Sequence, residues 1–125
     1  FYDNGGDAIV VNNTQIRNTS NHKIIENFHR NKAGISGKPL FPYTLKLVKD
    51  IHEKIPPLTI IGCGGIFSGR DAWELIQNGA SLIELYTGLT FKGFSLVREI
   101  NNTIKIHLKN DSLQNYLDKR DSIIS

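Results

Sequence analysis

Residues 59–88 read TIIGCGGIFSGRDAWELIQNGASLIELYTG, and this stretch decides the fold. Thr59-Ile60-Ile61 is a short apolar, β-branched run that reads as a buried strand, stopped by Gly62-Cys63-Gly64-Gly65. Ser68 is placed to cap a short amphipathic helix over Asp71 to Gln77, and Gly79 is placed as the C′ glycine that ends it. Ser81 to Tyr86 reads as the next strand. The two strands lie about 24 residues apart, enough for a crossover helix and far too much for a tight hairpin. The stretch is a compact βαβ unit.

Working outward, Leu45, Val48, Ile51 and Ile55 recur at three and four residues and give Tyr43 to Lys54 one apolar helical face. Pro42 sits where it starts that helix and Pro56-Pro57 ends it. Ala8-Ile9-Val10-Val11 reads as an earlier buried strand, ended by Asn12-Asn13-Thr14. Residues 15–40 are polar and Gly-containing, with Ile24, Ile25 and Phe28 as apolar anchors, and read as a long excursion with at most one helical turn. Phe94 to Leu108 carries Leu96, Val97, Ile100, Ile104 and Leu108 at helical spacing. The tail from Ser112 to Ser125 reads as weakly helical at best.

The order is therefore strand, helix, three times over. Apolar runs alternating with helices predict an α/β fold with a parallel sheet. Three strands are few for an independent domain, and about three βα units are three-eighths of a (β/α)₈ TIM barrel. The expectation is that residues 1–110 form the C-terminal part of such a barrel, with 111–125 as a tail. The chain has no Met, and Phe1-Tyr2-Asp3-Asn4 has neither the charged nor the apolar segment of a signal peptide, so it reads as beginning inside a longer protein.

Composition narrows the function classes. The 125 residues are 39% apolar and 22% charged, with a net charge of +3 and lysines scattered along the chain. No dense basic block or aromatic-interleaved stripe argues for nucleic acid. The single cysteine, Cys63, excludes an internal disulfide and a Cys-based metal site, and the four histidines lack metal-ligand spacing. His22, His29, His52 and His107 read as surface or packing residues, and Trp73 as packing. No apolar run approaches the roughly 18 residues of a membrane helix.

Polar clusters fall at the carboxyl ends of all three strands, where parallel α/β folds bind ligands. Gly64 and Gly65 lack a Cβ, so their N–H groups can approach a phosphate, or they can simply make a tight turn. Tyr86-Thr87-Gly88 one strand later favours phosphate. Asn12, Asn13 and Thr14 offer groups that both donate and accept, suited to a planar ligand, although Asn is also common in plain turns. Ala33 to Leu40 is a second glycine loop, either functional or an ordinary surface loop. Cys63 has no His in its loop and reads as something other than a nucleophile.

Four ordered stretches, Asp7–Thr14, Gly34–Leu40, Ile60–Gly69 and Gly79–Leu89, resemble the C-terminal part of the class 2 (quinone-dependent) dihydroorotate dehydrogenases. Leu85 to Gly93 favours class 2 over class 1. The resemblance covers residues from about 5 to 108. It implies FMN-dependent oxidation of dihydroorotate to orotate, in pyrimidine biosynthesis, with a quinone as electron acceptor and a membrane association made elsewhere in the protein. It further implies that Gly37, Gly65, Tyr86 and Thr87 bind FMN, the last three around its phosphate, and that Asn13 and Thr14 bind the orotate ring. Asn12 stands where the family usually has a Thr contacting FMN, and Ala33 replaces a family glycine. The family's serine base and flavin-facing lysine match no residue of this chain, so no catalytic residue is assigned. The rival expectations are another FMN- or phosphate-binding barrel oxidoreductase, or an inactive remnant that keeps an anion site.

Overall fold

A computed structural model describes residues 2–18 and 32–123. After a 3₁₀ turn at Tyr2–Asn4 come β1 (Ala8–Val11), β2 (Gln15–Asn18) and β3 (Lys32–Ile35). A second 3₁₀ turn, Lys38–Leu40, leads into α1 (Phe41–Lys54), then β4 (Thr59–Cys63), α2 (Gly69–Gln77) and β5 (Leu82–Glu84). The chain continues as α3 (Thr87–Lys92), α4 (Ser95–Leu108) and α5 (Leu113–Ser122).

The main sheet has the order β1-β4-β5 and is parallel throughout, with Ala8 opposite Thr59 and Ile61 opposite Leu82. Ile9, Val11, Ile60 and Ile83 turn toward one face, where Val48 of α1, Ala72 and Leu75 of α2, and Leu96 and Ile100 of α4 close the core. On the other face Val10 and Leu82 stand 49% and 56% exposed. Helices on only one face are the arrangement of a barrel wall, whereas a doubly wound sheet is covered on both. The open second face therefore fits the expected stretch of (β/α)₈ barrel.

Local signals explain the helix ends. Ser68 Oγ accepts the Asp71 N–H at 3.1 Å, and Asp71 accepts the Phe67 N–H at 2.9 Å, a reciprocal N-terminal cap. At the other end of α2, Ala80 N–H reaches Leu75 O at 2.9 Å and Gly79 N–H reaches Ile76 O at 3.3 Å. That is the Schellman pattern, and Gly79 provides the positive φ of 126° it needs. Pro42 lies in the first turn of α1, as its position predicted.

Three expectations need correction. Residues 15–18 and 32–35 pair as an antiparallel ladder, Gln15 opposite Ile35, where the reading gave an excursion and a flexible loop. The apolar anchors Ile24, Ile25 and Phe28, with His22 and His29, lie outside the described residues. Second, α3 is a separate short helix where the reading had only a loop. Third, α5 is a packed helix and not a weakly helical tail. Leu117 is 8% exposed and joins Trp73 and Ile76 in a second core, and Arg120 Nη1 donates to Ile76 O at 2.6 Å and Ala80 O at 2.9 Å. Tertiary contact, more than its own apolar content, holds α5 helical.

Candidate functional site

The carboxyl ends of β1, β4 and β5 open onto a cleft of about 460 Å³. Asn12, Asn13, Thr14, Gly37, Gly65, Tyr86 and Thr87 all line it, so the seven candidate FMN and orotate contacts meet in one place. The reason is topological. Parallel strands put their carboxyl ends on the same side, and the β2–β3 ladder folds Gly37 back over them.

Asn12 continues the β1–β4 ladder, its N–H donating to Cys63 O at 2.6 Å. Its side-chain Oδ1 is buried and has no hydrogen-bond partner among the described residues. A buried polar atom left unpaired costs on the order of 1–3 kcal/mol, so it marks a place that a ligand donor would satisfy. Asn13 and Thr14 are exposed to the cleft, and Asn13 Oδ1 accepts the Thr14 N–H at 2.7 Å, fixing the turn. Gly34 makes room for Thr14, since a Cβ there would lie 2.8 Å from Thr14 Cβ.

Two of the cleft glycines, Gly37 and Gly65, are candidate FMN contacts, and both hold positive φ. Gly37, at φ 82°, faces the Thr87 methyl, 3.5 Å from where its Cβ would be. Gly65, at φ 76°, was read as a glycine so that its backbone could approach an anion. The structure gives a different reason: a Cβ at 65 would collide with the backbone N of Phe41, at the start of α1. The neighbouring N–H groups of Gly64 and Gly65 donate to no backbone carbonyl among the described residues. Thr87 opens α3, whose first-turn N–H groups have no intrahelical acceptor.

Tyr86 is 81% exposed at the cleft rim. Burial first, then the Glu84 carboxylate, push the Cys63 thiol up. A thiol held protonated is a poor nucleophile, which agrees with the reading of Cys63. Glu84 was missed as a cleft residue. Glu84 alternates with the core-packed Ile83 along β5 and shares the open face with Leu82, so period-two counting would have turned it away from the core, to where it lines the cleft. Thr44 is buried in α1 with its hydroxyl donating to Leu40 O at 3.3 Å, a contact with no sequence signal. His52 is buried in α1 and His107 stacks on Trp73 at 4.6 Å, both packing roles as read. Among the described residues, no group of three or more His, Cys, Asp or Glu could hold a metal, and no helix is long and apolar enough to cross a membrane.

Fold and cleft together define a stretch of (β/α)₈ barrel wall whose strand ends converge on a ligand-sized site. The family model for dihydroorotate dehydrogenase matches residues 4–108, and the chain belongs to that family. Among curated relatives, "Dihydroorotate dehydrogenase (quinone), mitochondrial" of Eremothecium gossypii is 37% identical over 108 residues, covering 84% of this chain and 24% of that protein. "Dihydroorotate dehydrogenase (quinone)" of Coxiella burnetii is 44% identical over 96 residues, covering 75% of this chain and 27% of that protein. The crystal structure of DHODH from Eimeria tenella in complex with ferulenol superposes with a TM-score of 0.74 at 30% identity, over 94% of this chain and 31% of that one. The chain thus spans about a quarter of the length of the curated relatives it matches. The relatives' names place the resemblance in the quinone-dependent class, as expected from Leu85 to Gly93.

Proposed function

We propose that this chain supplies the FMN-phosphate site and one side of the orotate site of a quinone-dependent dihydroorotate dehydrogenase. The observation that carries the reading is the convergence of Gly37, Gly64-Gly65 and Tyr86-Thr87 on one cleft beside the unpaired Asn12 oxygen. The donor set suits FMN. The backbone N–H groups of Gly65, Tyr86 and Thr87, with the Thr87 hydroxyl, would hold the phosphate, as anions are held elsewhere by converging amides. Gly37 leaves space for the cofactor to lie close to the backbone, and Asn12 offers it a hydrogen-bonding amide. When bound, FMN supplies a two-electron acceptor for the substrate C–H bond.

Asn13 and Thr14 would orient the orotate ring, which presents carbonyl and N–H groups complementary to an amide and a hydroxyl. The family's serine base matches no residue of this chain, so the general base is assigned outside these residues. A quinone partner and peripheral membrane association belong to the same proposal and come from the relatives' class.

The test is a chimera in which residues 4–125 replace the matching stretch of the Coxiella burnetii relative. It is expected to purify with bound flavin and to oxidise dihydroorotate with a quinone. A folded chimera that binds no flavin would sink the reading.

A further inference from the structure

This inference deepens the reading above and rests on it. Lys92 is the last residue of α3, and its ammonium donates to Phe67 O at 2.9 Å and to Glu99 Oε2 at 2.9 Å. Phe67 lies two residues past Gly65, in the loop between β4 and α2. The other Glu99 oxygen, Oε1, accepts the N–H of Gly69 at 2.9 Å. A run of charge-assisted bonds therefore goes from Gly69 through Glu99 and Lys92 to Phe67, closing a ring across the loop after β4 and the helix after β5.

The contacts around it agree. The Phe67 and Phe91 rings lie 6.1 Å apart. Gly88 sits so close to the Ile66 carbonyl that a Cβ there would collide with it. The Gly69 N–H first, then Lys92, hold the Glu99 carboxyl below its ordinary value, which favours the carboxylate that accepts both bonds. Neither Lys92 nor Glu99 lines the cleft.

We propose that Lys92 and Glu99 are positioning residues that fix the spacing between the Gly64-Gly65 loop and Tyr86-Thr87, and so set the affinity for FMN without touching it. Their side chains are 40% and 43% exposed, and exposed pairs add little to overall stability. An anion gripped by amides from two separate loops, by contrast, is sensitive to small shifts of one loop against the other.

The experiment uses the flavin-loaded chimera with Lys92→Met, Lys92→Arg and Glu99→Gln. FMN affinity is read by fluorescence quenching, and melting is followed on the flavin-free protein. Lys92→Met is expected to weaken FMN binding about three- to tenfold, the scale of one hydrogen bond, with melting unchanged. Lys92→Arg should restore most of the affinity. Glu99→Gln, which keeps an acceptor for Gly69, should fall between. Lys92→Met binding FMN as tightly as the parent overturns the proposal and leaves the functional reading standing. Loss of melting temperature with equal loss of affinity in Lys92→Met and Lys92→Arg overturns it in favour of plain packing. A parent chimera without flavin removes the functional reading and this inference together.

Discussion

The cleft and the α2–α5 seam are built on opposite principles. At the seam, polar groups are paired and apolar ones covered. Arg120 donates to Ile76 O, Ala80 O and, at 2.6 Å, to Asp121, while Trp73 packs with Tyr116 and Leu117. At the cleft, a buried oxygen of Asn12 is unpaired, glycines hold positive φ, and Tyr86 stands in solvent. The seam spends its groups on stability, and the cleft keeps them for a ligand. Where a molecule leaves polar atoms unpaired, its function is the first place to look.

The comparison breaks most severely at Gly65. Gly65→Val should destabilise the fold by about 3 kcal/mol or more, because the new Cβ meets the Phe41 backbone and φ is positive. A urea titration checks this. Near-normal stability would show that α1 can move away. The expected destabilisation means that flavin loss in this variant would not by itself locate the phosphate.

Arg120→Ala attacks the other side. It removes the donor to Ile76 O and Ala80 O and should cost about 2 kcal/mol, a figure typical of charged hydrogen bonds. Flavin content of the chimera should not change. A loss of flavin at constant stability would erase the distinction between seam and cleft.

The smallest effect sharpens the comparison, since His52 is the seam's exception. It is 4% exposed, and its Nε2 has no hydrogen-bond partner among the described residues, although the Asp121 carboxylate lies 3.5 Å away at ion-pair distance. Burial, then Arg120, push its pKa below the ordinary 6.5, against Asp121 and Glu53, which pull it up. The unfolded chain therefore binds a proton that the folded chain resists. This share of stability is complete above pH 6.5 and declines as pH falls through 6.5 toward the lower folded value. Urea midpoints taken across that window should slope gently for the parent and less for His52→Leu. Equal slopes would clear His52 of the effect.

Much of this was legible in the sequence. Hydrophobic periodicity marked β1, β4, β5, α1, α2 and α4, and the four family stretches contain the seven candidate site residues that meet at the cleft. What escaped has a common cause. The β2–β3 ladder pairs two four-residue segments of mixed composition, Asn18 opposite Lys32 and Gln15 opposite Ile35, with no apolar run to mark either strand. α5 carries few apolar residues, and its order comes from Arg120 and Trp73, contacts no local pattern announces. α3 has six residues and includes Gly88, too little for a period. The need for glycine at 65 lies in Phe41, 24 positions away.

The parallel register also fixes how far the chain must travel to assemble each part of the cleft. Gly62 meets Ile83 across 21 intervening steps of chain, whereas Ala8 meets Thr59 across 51. Closing the longer loop costs about 0.8 kcal/mol more in chain entropy, by the logarithmic dependence on loop length. The loops after β4 and β5 are thus neighbours by short-range assembly, already juxtaposed once a single βαβ unit has formed. Asn12, Asn13 and Thr14 join them only through a long-range closure, so the two halves of the cleft differ in contact order as well as in chemistry.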